Sequence, residues 1–140
     1  MLSLVRDLRK SNLITLLNHI CKKLDIDYNI NSGGCCFVAY CIAKELENLG
    51  IDFKLRVYGT DEDDFYDIPY SMEHYVIVTP RRSINVGDYQ NRTDWKEYNV
   101  SSEEIFDHYK YGDWNDCYSR RWNLIVQTII HSKIRKFYDN

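Results

Sequence analysis

The sequence predicts an α+β fold, in which helices pack on one small antiparallel sheet of about three strands. Apolar residues recur at helical spacing near both ends of the chain, whereas the stretch between residues 51 and 86 alternates apolar and polar residues as strands do. With 140 residues, of which 44% are hydrophobic, the chain has the size and composition of a single domain spanning residues 1–140.

The first predicted helix spans about residues 12–24, where apolar side chains recur every three or four positions. The stretch Leu2–Leu8 is either a separate short helix or an extension of this one. Residues 25–34 are predicted to form a loop, because they end in Ser32-Gly33-Gly34, a combination typical of sharp turns.

The second predicted helix begins at Cys35 or Cys36 and runs to Leu49 with one apolar face. Gly50 follows at the position where a helix end favours glycine, because glycine adopts a positive φ without steric cost. This helix therefore has a sequence signal at each end.

Three strands are predicted after this helix. Ile51–Tyr58 alternates apolar and polar residues, His74–Thr79 is rich in β-branched residues, and Ser83–Val86 is a shorter third strand. Pro80-Arg81-Arg82 is predicted to form the hairpin turn between the last two strands. The acidic stretch 59–70 is expected to be an exposed loop.

Two further helices complete the predicted order. Ser101 and Glu104 stand three residues apart, as in a capping box, and predict a helix to about Tyr111. The last helix is predicted over about Ser119 to Tyr138, with its apolar residues on one side. The order of helices, strands and helices is that of an α+β domain.

Charge and apolar patterning exclude several classes of function. The net charge of −3 gives no polycation for nucleic acid, and no apolar run approaches the ~18 residues that span a membrane. The start of the chain meets charge too early for a secretion signal. We therefore expect a soluble, cytoplasmic protein with neither nucleic acid nor membrane as a partner.

The five cysteines are not expected to form a disulfide framework, because their number is odd and no export signal is visible. No Cys-x-x-Cys pair is present, and we expect neither a metal nor a cofactor. The cysteines are either all buried structural thiols, or one of them is reactive: Cys21, Cys35, Cys36, Cys41 and Cys117.

Cys36 is the first candidate for chemistry, because it follows Ser32-Gly33-Gly34 and begins a helix. The positive end of the helix dipole favours the thiolate, and the backbone N–H groups at a helix start stabilise an oxyanion. The alternative is that Cys35, Cys36 and Cys41 are simply small apolar residues on a buried helix.

His74 is the second candidate, because it begins a strand with Val76 and Val78 on its own face. We expect that face to meet the same core as the cysteine-bearing helix, so that the imidazole lies near the thiol. The alternative is a histidine at the rim of the sheet, hydrogen-bonded or solvated.

A thiol–imidazole pair works better when a carboxylate or an amide orients the imidazole. A turn centred on Arg81 and Arg82 pairs His74 with residues near 88 or 89, and this register favours Asp88. Asn85 lies on the same strand and is the second candidate for this role. Either residue is alternatively an ordinary turn or strand-end residue.

The stretch Ser-Gly-Gly-Cys-Cys-Phe, heading a helix that ends in Leu-Gly, resembles the Gly-Gly-x-Cys-Phe nucleophile segment of the arylamine N-acetyltransferases. More broadly, it is similar to the papain/transglutaminase-like superfamily. The resemblance places Cys36, rather than Cys35, in the nucleophile position. This chain is shorter than a full acetyltransferase and has Ser32 and Val38 where those enzymes have arginine and glutamate, which favours a hydrolase or a transglutaminase-like enzyme.

The resemblance extends over about residues 32–88. His74-Tyr75-Val76-Ile77-Val78 resembles the histidine strand of these families, and Ile84-Asn85-Val86-Gly87 resembles the Asp-Val-Gly strand that carries the third residue. This match puts Asn85 in the third position, whereas the hairpin register favours Asp88.

The resemblance implies a papain-like cysteine hydrolase or acyltransferase that acts on a peptide or another amide-containing substrate. His74 would take the proton of Cys36, and the thiolate would attack the amide carbonyl. The backbone N–H of Cys36 is one expected oxyanion donor, and Asn31 or Asn29 is a candidate side-chain donor. The alternative function is a catalytically inactive binding or interaction module with the same fold.

Overall fold

The computed structural model describes most of the chain, with gaps at the loops. The described residues are 2–28, 35–58, 64–65, 68–69, 74–80, 83–86, 95–111 and 120–139. The α+β class is confirmed, because helices near both ends of the chain flank a small antiparallel sheet. The helices are α1 (Leu2–Tyr28), α2 (Cys35–Asn48), α3 (Ser102–Tyr111) and α4 (Arg120–Asp139).

The six strands among the described residues are β1 (Lys54–Tyr58), β2 (Asp64–Phe65), β3 (Ile68–Pro69), β4 (His74–Val78), β5 (Ser83–Asn85) and β6 (Trp95–Tyr98). The main sheet is antiparallel in the order β5-β4-β1-β6, and β2 and β3 form a separate two-stranded ribbon. The sequence analysis missed β6, which is only four residues long and lies at an edge of the sheet. It also missed β2 and β3, two-residue strands inside the stretch 59–70, so the expectation of an exposed loop over that whole stretch is wrong.

The hydrophobic core lies between the helices and one face of the sheet. Alternate residues of the three strands β1, β4 and β5 join the core cluster of α1 and α2: Leu55, Val57, Tyr75, Ile77 and Ile84. The register pairs Leu55 with Ile77 and Ile77 with Ile84, so these side chains lie on one face of the sheet. A fully buried side chain of this size contributes about 1.5–3 kcal/mol to folding, so this layer stabilises the contact between sheet and helices.

The end of α2 is a Schellman motif. Gly50 has a φ of 70°, as the sequence predicted for the residue after the helix. The Ile51 N–H donates to the Leu46 carbonyl at 2.9 Å, and the Gly50 N–H donates to the Glu47 carbonyl at 3.1 Å. Ile51 thus lies against the last turn of α2. Only residues 49–53 separate the end of α2 from the start of β1.

The start of α3 is fixed by two side chains, the Ser101 hydroxyl and the Glu47 carboxylate. The Glu104 N–H donates to Ser101 Oγ at 3.2 Å, which confirms half of the predicted capping box. Glu47, near the end of α2, accepts hydrogen bonds from the Ser102 N–H at 2.8 Å and from the Ser102 hydroxyl. At the other end, the Tyr109 ring of α3 packs on Phe37 of α2 with centroids 5.2 Å apart. The two helices therefore run antiparallel.

The first helix is longer than the sequence predicted. It runs without interruption from Leu2 to Tyr28, so the loop predicted from residue 25 is wrong over its first four positions. No glycine or proline interrupts that stretch, and Lys23 forms an (i, i+4) ion pair with Asp27 at 3.5 Å. Among the described residues, no helix combines the length and the apolar character that crossing a membrane requires.

Candidate thiol site at the start of the second helix

The two neighbouring cysteines lie in the first turn of α2, as the sequence predicted. The helix begins at Cys35, and Cys36 is its second residue. The side chain of Cys36 is only 1% exposed and belongs to the core cluster, together with Phe37 and Ala39. Its thiol is therefore packed among apolar side chains and not displayed on a surface.

Position 74 is the first residue of β4 and pairs with Tyr58 of β1. The side chain of His74 is outside the described part of the structure. Tyr75 and Ile77 belong to the core under the helices. Because successive strand residues point to opposite faces, position 74 belongs to the other face, with Val76. The expectation that this face meets the same core as α2 is therefore wrong.

The hairpin register identifies the strand partner of β4 directly. Val76 pairs with Asn85 and Val78 with Ser83, so position 85 shares a sheet face with position 74. The sequence analysis paired His74 with residues near 88 or 89, one or two residues beyond the partner that this register gives. A shift of one residue moves each side chain of the strand to the opposite face of the sheet. The register argument for Asp88 is therefore wrong. Asp88 itself and Asn31 lie outside the described residues, as does the side chain of Asn85.

Two other cysteines have environments unsuited to nucleophilic chemistry. Burial raises the pKa of the Cys21 thiol to about 12. Burial, reinforced by the nearby Glu45 carboxylate, raises the pKa of the Cys41 thiol to about 12 as well. At neutral pH both thiols are protonated, and they serve as internal references for any reactive cysteine. Cys117 lies outside the described residues.

Tyr109 of α3 packs on Phe37 near the start of α2, and residues of α4 bond Tyr109 and the end of α1. The sequence analysis did not assign these residues to the site. The Asn123 amide of α4 donates to the Tyr109 hydroxyl at 2.8 Å, and the Tyr109 ring contacts Phe37. The indole N–H of Trp122 donates to the Tyr28 carbonyl at 3.4 Å. The aromatic residues near the start of the last helix were the only sequence signal for this arrangement.

Two hollows of about 400 Å³ each occur on the described surface, and neither is lined by Cys36. One lies between α2 and α4 and includes the pair of Glu45 and His131, whose Oε1 and Nδ1 atoms are 2.8 Å apart. The other lies at the sheet end where β1 begins and β4 ends, beside Phe53 and Thr79. In the described ranges, no group of three or more His, Cys, Asp or Glu side chains is arranged to hold a metal ion.

The fold and the site define a small α+β domain with a cysteine pair at the start of a core helix. No protein-family model matches this chain, and no curated protein or solved structure matches it either.

Proposed function

We propose that this protein carries out thiol-dependent acyl transfer or hydrolysis at an amide bond of a peptide or another amide-containing substrate. The nucleophile is a cysteine at the start of α2, and His74 is its base. The observation that carries the proposal is the strand register, which pairs Tyr58 with His74 and Val76 with Asn85. It puts the positions of the proposed base and of its orienting amide on one face of the sheet, one strand apart.

The topology supports a base close to the thiol. Residues 49–53 form a short connection between α2 and β1, and the Ile51 N–H still bonds the last turn of α2. Consecutive elements joined so closely are usually neighbours that run back along each other. We therefore expect Tyr58, at the far end of β1, and its partner His74 to lie toward the start of α2.

The chemistry follows from these residue types. The imidazole of His74 accepts the thiol proton, and the thiolate attacks the carbonyl carbon of the amide. The C–N bond then breaks, the imidazolium gives its proton to the leaving amine, and a thioester remains on the enzyme. Water or a second amine attacks this thioester and regenerates the thiol. Asn85 orients the imidazole, as the third residue of such triads does.

The burial of Cys36 raises the question of which cysteine acts. A carbonyl reaches a side chain with 1% exposure only if the residues that cover it move. Cys35 is the first residue of the helix, where the dipole and the backbone N–H groups have their largest effect. Cys36 is the nucleophile that the motif predicts, and Cys35 is the alternative that the helix start favours.

Iodoacetamide labelling at pH 6.5, quantified cysteine by cysteine by mass spectrometry, tests the proposal. We expect one of Cys35 and Cys36 to react at least tenfold faster than a free thiol of pKa about 8.5, while Cys21 and Cys41 stay protected. The variants Cys35→Ala and Cys36→Ala identify the nucleophile, and His74→Ala abolishes the rate enhancement. If neither cysteine exceeds the rate of a free thiol, the catalytic proposal is wrong.

A second candidate function is a binding module without catalysis. It is favoured by the packing of Cys36 in the core and by the position of residue 74 on the opposite face of the sheet. In that case Cys36→Ala reduces the free energy of unfolding, as core truncation does, and His74→Ala leaves every cysteine rate unchanged.

A further inference from the structure

The start of α4 contacts one flank of the cysteine turn directly and the other through Tyr109 of α3. On one side, the Trp122 indole N–H donates to the carbonyl of Tyr28, the last residue of α1. On the other side, Asn123 holds the Tyr109 hydroxyl, and the Tyr109 ring lies against Phe37, the third residue of α2. Trp122 and Asn123 are adjacent on α4. They thus link this helix to the chain before and after the segment that leads into the cysteines.

The side chain of Asn123 is not explained by stability alone. Its Oδ1 atom is buried and has no hydrogen-bond partner among the described residues. A buried acceptor without a partner is destabilising, and exchanging the amide oxygen and nitrogen would only leave the NH₂ group unpaired instead. A leucine of similar size would avoid that cost but could not form the hydrogen bond to Tyr109.

The aromatic packing transmits this bond to the cysteine turn. Tyr109 is 6% exposed and packs between Phe37 and Phe106, with ring centroids 5.2 and 6.1 Å apart respectively. Phe37 directly follows Cys36, so its side-chain position is coupled to the backbone of the first helical turn. Rotation of the Tyr109 ring would therefore move the N–H groups that act on the thiol.

We propose that Trp122 and Asn123 are positioning residues, which hold the first turn of α2 in the geometry that activates its cysteine. This inference rests on the proposed function but names residues that the proposal does not contain. Neither side chain takes part in the acyl transfer itself. They act by fixing the two flanks of the turn, Trp122 through the α1 carbonyl and Asn123 through the ring of Tyr109.

The test measures the pH dependence of iodoacetamide labelling at Cys35 and Cys36 in the variants Trp122→Phe and Asn123→Leu. Trp122→Phe removes the indole N–H and replaces the two-ring indole with one smaller ring, and Asn123→Leu removes the amide together with its unpaired atom. We expect each variant to move the apparent thiol pKa toward the ordinary value of about 8.5 and to slow labelling at pH 6.5 by about 3–10-fold. Gln127→Leu, one turn further along α4, is the matched control and should change neither quantity.

A thermal unfolding scan separates positioning from folding. A purely structural role predicts that Asn123→Leu leaves the thiol pKa unchanged, whereas the inference predicts a raised thiol pKa with equal or higher Tm. Tyr109→Phe, which keeps the ring and loses the hydroxyl, gives a milder second variant in case either of the others unfolds. If the thiol is activated in the wild type and its pKa is the same in all three variants, this inference alone is wrong. A wild-type thiol without activation overturns the proposed function and this inference together.

Discussion

The hydrogen bonds between Glu47 and Ser102 join the end of α2 to the start of α3. We therefore expect Glu47→Ala to be strongly destabilising, although residue 47 is exposed. The carboxylate accepts the Ser102 N–H at 2.8 Å and the Ser102 hydroxyl. Ser102 is 7% exposed, so truncation of Glu47 leaves two poorly hydrated donors at a helix start.

The magnitude follows from the number and type of these bonds. A hydrogen bond to a charged group contributes about 1.5–3 kcal/mol, and the loss of the favourable carboxylate–dipole interaction adds some tenths of a kcal/mol. Water reaches the Glu47 side and replaces part of this, so we expect a loss of about 2–3 kcal/mol in the free energy of unfolding. For a domain of this size, that lowers Tm by about 6–10 °C.

Urea unfolding followed by circular dichroism measures this change. Glu47→Gln keeps one carbonyl acceptor and should lose about half as much, while Ser102→Ala removes the hydroxyl bond alone. Glu103→Ala, in the same first turn of α3 and exposed, is the matched control and should cost less than about 1 kcal/mol. A Glu47→Ala loss below about 0.5 kcal/mol would refute the role of this contact.

Three further outcomes are expected. Gly50→Ala should cost about 1–2 kcal/mol by urea unfolding, because the strain of a positive φ remains although the space around the added methyl group is open. Asn18→Ala should cost about 1 kcal/mol, because its amide donates to the carbonyl of Ser83 at the edge strand at 3.0 Å. Burial raises the folded-state pKa of Cys21 and Cys41 to about 12, above the ordinary value of 9.0, so their stabilising effect is complete below pH 9 and is lost as the pH rises toward 12. Urea midpoints between pH 8 and 11 should therefore fall more steeply for the wild type than for the double alanine variant, and parallel curves would contradict this account.

The parts of the fold that depend on neighbouring residues were predicted well from the sequence. Gly50 marked the end of α2, and the spacing of Ser101 and Glu104 marked the start of α3, because both signals act within one turn of a helix. The length of α1 was underestimated, because Asp25 and Asp27 resemble loop residues, although on a helix Asp27 forms an ion pair with Lys23.

The parts that depend on distant contacts were predicted less well. Both faces of β4 are apolar, because Tyr75, Val76 and Ile77 are all buried. The sequence therefore did not show which face meets the helices. The hairpin register depends on the conformation of the turn, and an error of one or two residues in that register favoured Asp88. The contacts of Asn123 and Trp122 with residues 14 and 94 positions away in the chain leave no pattern in the sequence beyond the aromatic residues near the start of α4.

The position of His74 at the beginning of β4 limits how the proposed thiol pair can form. Because position 74 belongs to the sheet face opposite to Tyr75 and Ile77, we expect an imidazole there to reach α2 only around the end of the strand. A histidine at position 76, inside the strand, would be separated from α2 by the sheet itself. The proposed pair is therefore possible only at the first residue of the strand.

Histidine titration by NMR tests this geometry without a substrate. A thiolate within about 4–6 Å favours the charged imidazole, so the pKa of His74 should be at least about one unit higher in the wild type than in the variant that removes its partner thiol. Comparison of Cys35→Ala with Cys36→Ala then identifies the partner, and His19 and His131, on other helices, serve as references within the same sample. If neither cysteine variant changes the titration of His74, the two groups are not neighbours, and the binding-module alternative explains the fold better.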